Sequence, residues 1–205
     1  ASTPEVYGSS HFYINEFDNF NPSSPYAVSH CSIDYHIRCL GKNYDFPYSI
    51  GRFANFYGEG QQLYRVIPKA ILSFINGKDF TLDGGGKSLR SFIYSSDIVK
   101  AIKKLLFNAN NFTEYNFSGS EEVSIIELVK LISKICKIDS NKYIKYGPER
   151  KGKDMIYRLD CNKAKKELDW ESKVSLNEGL KNVYDWIAKN NDYFSKSPWE
   201  YIHKC

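Results

Sequence analysis

Tyr26 and His30 stand four residues apart in the run Tyr26-Ala27-Val28-Ser29-His30. On a helix that spacing puts both side chains on one face, so a phenol and an imidazole can address the same ligand. A free phenol has a pKa of about 10. Making it a useful acid or base near neutrality means a shift of roughly 3 units, or about 4 kcal/mol. A neighbouring cation supplies part of that. Histidine, unperturbed at about 6.5, is mostly neutral at pH 7 and is a weaker source of field than lysine would be. Taken by spacing alone, the pair also fits an ordinary amphipathic helix.

The elements that must carry these residues follow from caps and periodicity. Ser24 suits an N-cap and Pro25 the first helical position, which predicts a helix from Pro25 to about Leu40 with Gly41 as its stop. A strand over Tyr48 to Phe53 and a loop from Asn55 to Gln62 come next, then a helix from Ile67 to Ile75 that ends at Gly77. Phe80 to Leu82 and Ser91 to Tyr94 read as strands flanking Gly84, Gly85 and Gly86. That glycine run lacks the spacing and the strand-to-helix context of a phosphate cradle, so a loop between two strands is the reading. Asp97 is expected as the N-cap of a helix to about Phe107. Ser124 with Glu127 and Ser175 with Glu178 have capping-box spacing and open helices to about Cys136 and Ala188. Strand candidates at Tyr115 to Phe117, Tyr143 to Tyr146 and Ile156 to Leu159, with a short helix from Asn162, complete an alternation that makes the fold class α/β. The aperiodic stretch from Asn190 predicts a partly ordered tail.

Composition narrows the function classes. The chain has 205 residues, 42% of them apolar, enough for one good core or two small ones. No apolar run approaches the ~20 residues of a membrane span, and the opening Ala1-Ser2-Thr3-Pro4-Glu5 does not resemble a signal peptide, so a cytoplasmic protein is expected. Five scattered cysteines and four histidines, none at ligand spacing, point to reduced packing thiols and no metal site. A net charge of +4 with dispersed lysines does not call for nucleic acid.

Five segments in order then resemble one family. They are Ser2-Thr3-Pro4-Glu5-Val6-Tyr7-Gly8, Ser24-Pro25-Tyr26-Ala27-Val28-Ser29, Arg52-Phe53-Ala54-Asn55-Phe56-Tyr57-Gly58, Arg90-Ser91-Phe92-Ile93-Tyr94-Ser95-Ser96-Asp97, and Arg150-Lys151-Gly152-Lys153-Asp154 followed by Leu168-Asp169-Trp170. They are similar to the extended short-chain dehydrogenases that modify nucleotide sugars, the NAD-dependent epimerase/dehydratase family of dTDP-glucose 4,6-dehydratase type. The resemblance implies the C-terminal portion of an NAD-binding Rossmann-type fold plus a smaller α/β substrate-binding domain. It assigns 1–60 to the Rossmann remnant, 61–189 mainly to nucleotide-sugar binding and 190–205 to a tail.

The same resemblance implies roles. Thr3 matches the threonine that bonds the sugar 4-hydroxyl, Tyr26 the base acting at C4, and His30 stands at the family's lysine position. Tyr26 and His30 would also face the cofactor, NAD. Glu5 matches one of two dehydratase acid–base residues, with Pro4 in place of the other, so epimerisation or decarboxylation survives the change more easily than dehydration. Asn55, Arg65, Arg90, Asn116 and Arg150 resemble residues that hold the nucleoside diphosphate, while Tyr57 either packs on the nucleotide or fills the core. The implied partners are a nucleotide-diphosphate sugar and a second copy, the helix from Pro25 lying where the family dimerises.

The family's G-x-x-G-x-x-G turn does not occur in the sequence, and Ala1-Ser2-Thr3 matches the end of a central parallel strand. The expectation is a C-terminal fragment, weak or inactive alone. The alternatives are a non-catalytic nucleotide-sugar-binding or oligomerisation module, or a decayed fragment.

Overall fold

The structure, a computed structural model, describes residues 1–149 and 154–199. In chain order its elements are β1 (Tyr13–Ile14), α1 (Pro25–Tyr44), β2 (Ser49–Phe53), β3 (Asn55–Tyr57), α2 (Val66–Ile75), β4 (Phe80–Asp83), β5 (Leu89–Tyr94), α3 (Ser95–Phe107), β6 (Thr113–Phe117), β7 (Glu122–Ser124), α4 (Ile125–Ile135), α5 (Ser140–Tyr143), β8 (Ile144–Gly147), β9 (Arg158–Leu159), α6 (Asn162–Leu168), α7 (Leu176–Lys189) and α8 (Asn191–Phe194). Two compact units interleave along the chain. The first draws on Ala1–Phe56, Ser88–Glu122 and Lys151–Lys173, the second on Tyr57–Lys87, Val123–Arg150 and Val174–Cys205. Residues 88–122, which fall inside the range 61–189, pack in the first unit.

In the first unit β2 and β6 pair in parallel, from Ser49 opposite Thr113 to Phe53 opposite Phe117. Ser2 joins them on the other side of β2: its N–H donates to the Gly51 carbonyl at 2.8 Å, and its own carbonyl accepts from Phe53 at 3.4 Å. Alternation along each strand sends side chains to opposite faces. One face carries Phe53, Tyr115 and Phe117, where Phe117 stacks on Phe53 at 4.9 Å and meets Trp170 edge-on at 4.8 Å. α3 lies close on this face, because a Cβ at Gly51 would stand 2.7 Å from Leu105. The other face carries Arg52, Glu114 and Asn116, and α1 reaches it through Asp34 and Arg38. Helices on both faces of a parallel pair are the arrangement expected of a Rossmann-type sheet.

Among the described residues β6 has one strand partner. Part of its remaining backbone is met by side chains: Asn116 N–H donates to Glu16 Oε1 at 2.7 Å, and the Glu114 carbonyl accepts from Lys163 Nζ at 2.8 Å. Such cover blunts an edge that would otherwise recruit another strand.

The second unit packs α2, α4 and α7 on one another, with Ile71, Phe74, Leu128, Ile132, Leu180 and Val183 buried on these helices, and pairs β4 in parallel with β8. Ser124 and Glu127 complete their capping box in both directions, and Ser175 accepts from Glu178 N–H. Tyr57 is 2% exposed with its hydroxyl on the Leu176 carbonyl, which decides its role: it fills the core.

Several local expectations are corrected. α1 does not stop at Gly41 but runs to Tyr44, with Asp45 taking the left-handed position at φ 51°. Gly41 is instead a packing glycine, where a Cβ would stand 2.6 Å from the Tyr48 ring and 3.1 Å from Phe112. Asp97 is not an N-cap, since α3 begins at Ser95. It lies in the first turn, fully buried, and its carboxylate accepts from Lys173 N–H at 2.7 Å, Lys100 Nζ at 3.0 Å and Ser172 Oγ at 3.4 Å. Its carbonyl takes the Trp170 indole N–H. Gly84–Gly86 does link two strands, β4 and β5, as expected, and takes the form of a left-handed 3₁₀ turn, while β4 itself pairs with β8. The loop expected from Asn55 starts as β3. The described part of the tail holds α8, seated by Phe194 against Trp186 and by Asn191 on Asn76.

Candidate functional site

Ser24 caps α1 by accepting from Ala27 N–H at 3.2 Å, and Pro25 occupies the first turn. The helix then presents Tyr26 and His30 as expected, rings edge-on with centroids 4.6 Å apart. Tyr26 is 54% exposed, so the residue is open to a ligand.

Thr3 and Glu5 sit on a 3₁₀ turn, Pro4–Tyr7. Pro4 fits its first position, where a missing N–H costs nothing. Thr3 Oγ1 accepts from Glu5 N–H at 3.3 Å, which leaves its own hydrogen to donate. The turn ends at Gly8, whose φ of 70° favours glycine and whose absent Cβ would fall 2.2 Å from the Asn21 carbonyl oxygen.

Beneath this turn lies a buried ionic network. Arg52, with no exposed surface, donates to Asp34 at 2.7 Å, to Glu114 at 2.6 Å and to the Tyr7 hydroxyl at 3.0 Å, and Arg38 forms a bidentate pair with Glu114. Ser2 Oγ donates to the same Asp34 oxygen, which ties the strand end beside Thr3 to α1. Burial pushes the Tyr7 phenol up to about 12 against the opposing pull of Arg52. Tyr7 donates to Asn116 Oδ1, while Asn116 Nδ2 donates to the Ile14 carbonyl. Asn116, expected on the phosphate side, is thus fully buried and bonded within the fold.

A second cluster in the same unit gathers around Tyr157. Its hydroxyl donates to Asn55 Oδ1 at 3.0 Å, and the Arg90 guanidinium lies 4.5 Å from its ring centroid. Arg90 donates to the carbonyls of Leu89, Asp154 and Met155, and the Asp154 carboxylate accepts from Ser23, next to the cap of α1. Burial pushes the Tyr157 phenol up to about 12; Arg90 opposes this, while the negative charges of Glu5 and Asp154 and the phenol of Tyr26 add to it. Glu5, Tyr26, Asn55 and Arg90 therefore fall within electrostatic reach of one ring. Sequence reasoning missed Tyr157 as a site residue. Its hydrogen-bond partner is 102 residues away, and nothing local marks it.

Arg65 belongs to the second unit, at the N-cap position of α2 with its guanidinium 5.6 Å from the Tyr64 ring. Arg150 lies outside the described residues. Among the described residues no group of histidine, cysteine or acidic side chains has metal-binding geometry. Among the described residues the glycine run Gly84–Gly86 does not fit a dinucleotide pyrophosphate either. That group sits on a glycine turn opening a helix, whereas Gly84–Gly86 is followed by β5 and has Gly86 against Ile126 N.

The profile of the GDP-mannose 4,6-dehydratase family matches residues 1–183. A mouse dTDP-D-glucose 4,6-dehydratase is 31% identical over 198 residues, covering 93% of this chain and 55% of the relative. The dTDP-glucose 4,6-dehydratase of Haemophilus influenzae is 29% identical, with 93% and 60% covered. Among solved structures, the dTDP-glucose 4,6-dehydratase of Bacillus anthracis in complex with NAD superposes with a TM-score of 0.89 at 30% identity, over 94% of this chain and 61% of that one. The UDP-glucose 4-epimerase of Thermotoga maritima with UDP-glucose gives 0.86 at 28% identity, over 93% and 62%. The chain spans a little over half the length of these relatives.

Proposed function

The chain belongs to the GDP-mannose 4,6-dehydratase family of NAD-dependent epimerases and dehydratases, and on that premise we propose that it carries the nucleotide-sugar side of such an active site. Tyr26 exchanges the proton of the sugar 4-hydroxyl, with Thr3 donating to the same region and His30 placed edge-on to the phenol. Glu5 is the base for a proton on the neighbouring carbon. Asn55 and Arg90 hold the diphosphate, Arg90 through the Nε–H and the one Nη2–H that its bonds to the Leu89, Asp154 and Met155 carbonyls leave over, a planar edge matched to phosphate oxygens. No step is assigned to a dinucleotide on this chain, and turnover by the chain alone is expected to be slight.

The reading is supported chiefly by the Tyr157 cluster, where one ring stands within hydrogen-bonding or electrostatic reach of the proton-transfer residues Glu5 and Tyr26 and the anion-side residues Asn55 and Arg90. A homodimer is part of the proposal, supported by Val28 and Ile33, about half exposed on α1. So is a cytoplasmic location; among the described residues no helix is long and apolar enough to cross a membrane.

Calorimetry with dTDP-glucose, UDP-glucose and NAD tests the reading. A nucleotide sugar binds, Arg90→Lys weakens it about tenfold by losing that planar edge, and NAD with sugar nucleotide gives no product. A folded chain that binds neither sugar nucleotide at millimolar concentration overturns the proposal.

A further inference from the structure

Tyr157 is 6% exposed, and a buried phenol needs an acceptor for its hydrogen. The acceptor is Asn55 Oδ1 at 3.0 Å. With its pKa pushed up to about 12, the phenol keeps that hydrogen across the physiological range. Turning the Asn55 amide over would set an NH2 group against the hydroxyl and strand the phenolic hydrogen inside the protein. The bond therefore selects one of two nearly isosteric amide orientations. Asn55 is itself exposed, and with its oxygen taken by the buried hydroxyl its two N–H donors are the end it offers to a ligand.

We propose that Tyr157 is a positioning residue, holding the Asn55 amide donor-side out so that it meets an acceptor-only group, a phosphate oxygen of a nucleoside diphosphate. The same ring seats Arg90 at 4.5 Å, so hydroxyl and ring face together place a neutral and a charged donor. Asparagine without this bond is free to present its carbonyl oxygen, which repels the same anion. The identity of the ligand rests on the sugar-nucleotide reading; the orientation of Asn55 does not.

Tyr157→Phe keeps the ring and removes the hydroxyl. In the ligand-free protein, ¹⁵N relaxation of the Asn55 side-chain amide is expected to show an ordered group in the wild type and a mobile one in the variant; equal order in both overturns the proposal. So does a strong nuclear Overhauser contact between the Asn55 NH2 and the Tyr157 ring edge in the wild type, a measurement that needs no variant. With UDP and dTDP as probes, Tyr157→Phe weakens binding about two- to tenfold, the cost of ordering one freed side chain. In an Asn55→Ala background it has no further effect. Additive losses would mean that Tyr157 supports the site only by packing, and would overturn the proposal. If the wild type binds neither probe while the amide is ordered only with the hydroxyl present, the sugar-nucleotide reading fails and the orientation of Asn55 stands.

Discussion

Glu16 and Glu114 belong to one buried network and titrate in opposite senses. Burial pushes Glu114 up, but the bonds and charges of Arg38 and Arg52 outweigh it and hold the carboxyl below its usual 4.5. Burial also pushes Glu16 up, and there the Asn116 N–H and Lys163 only partly offset it, so its pKa is raised. Stability from a depressed carboxyl is present above the unfolded value and lost as pH falls through the folded one. Stability from a raised carboxyl is present below the unfolded value and lost as pH rises through the folded one. Glu114→Gln is therefore expected to lower stability at pH 7 by about 3 kcal/mol, leaving Arg52 and Arg38 short of counter-charge, and to flatten the loss of Tm below about pH 4.5. Glu16→Gln keeps an acceptor for Asn116 and is expected to leave Tm at pH 7 unchanged or higher. Thermal melts from pH 3 to 7 check both; parallel curves for the two variants would refute the assignment.

At the scale of elements, what was legible in the sequence was local. Ser24 with Pro25, and the spacings Ser124 to Glu127 and Ser175 to Glu178, mark helix starts because the cap bonds close within three residues. Gly41 and Asp97 were misread because their partners are distant in sequence. Gly41 answers to Phe112 and the Tyr48 ring, Asp97 to the N–H of Lys173. Gly41→Ala sets two effects against each other: a gain of about 1 kcal/mol in helix propensity and an overpacking cost of about 1–3 kcal/mol. With a Cβ 2.6 Å from the Tyr48 ring, overpacking is expected to win and the urea midpoint to fall. A rise would show that the ring swings aside freely.

At the scale of the molecule, the α/β class and the order of the site segments were readable, because alternation and motif order survive without contacts. The interleaving of the two units and the cluster at Tyr157 were not, because both depend on pairings across long stretches of chain. Assembly offers a further check: light scattering is expected to show a dimer, and Ile33→Asp, which charges a half-exposed position on α1, to shift it to monomer. An unchanged mass would move the interface elsewhere. The side-chain cover on β6 also has a timetable. Lys163, which meets the Glu114 carbonyl, follows it by 49 residues. At about 5–20 residues per second on the ribosome, that carbonyl waits roughly 2–10 s for its partner to be synthesised, so the nascent chain is most open to association with other strands in the interval before α6 emerges.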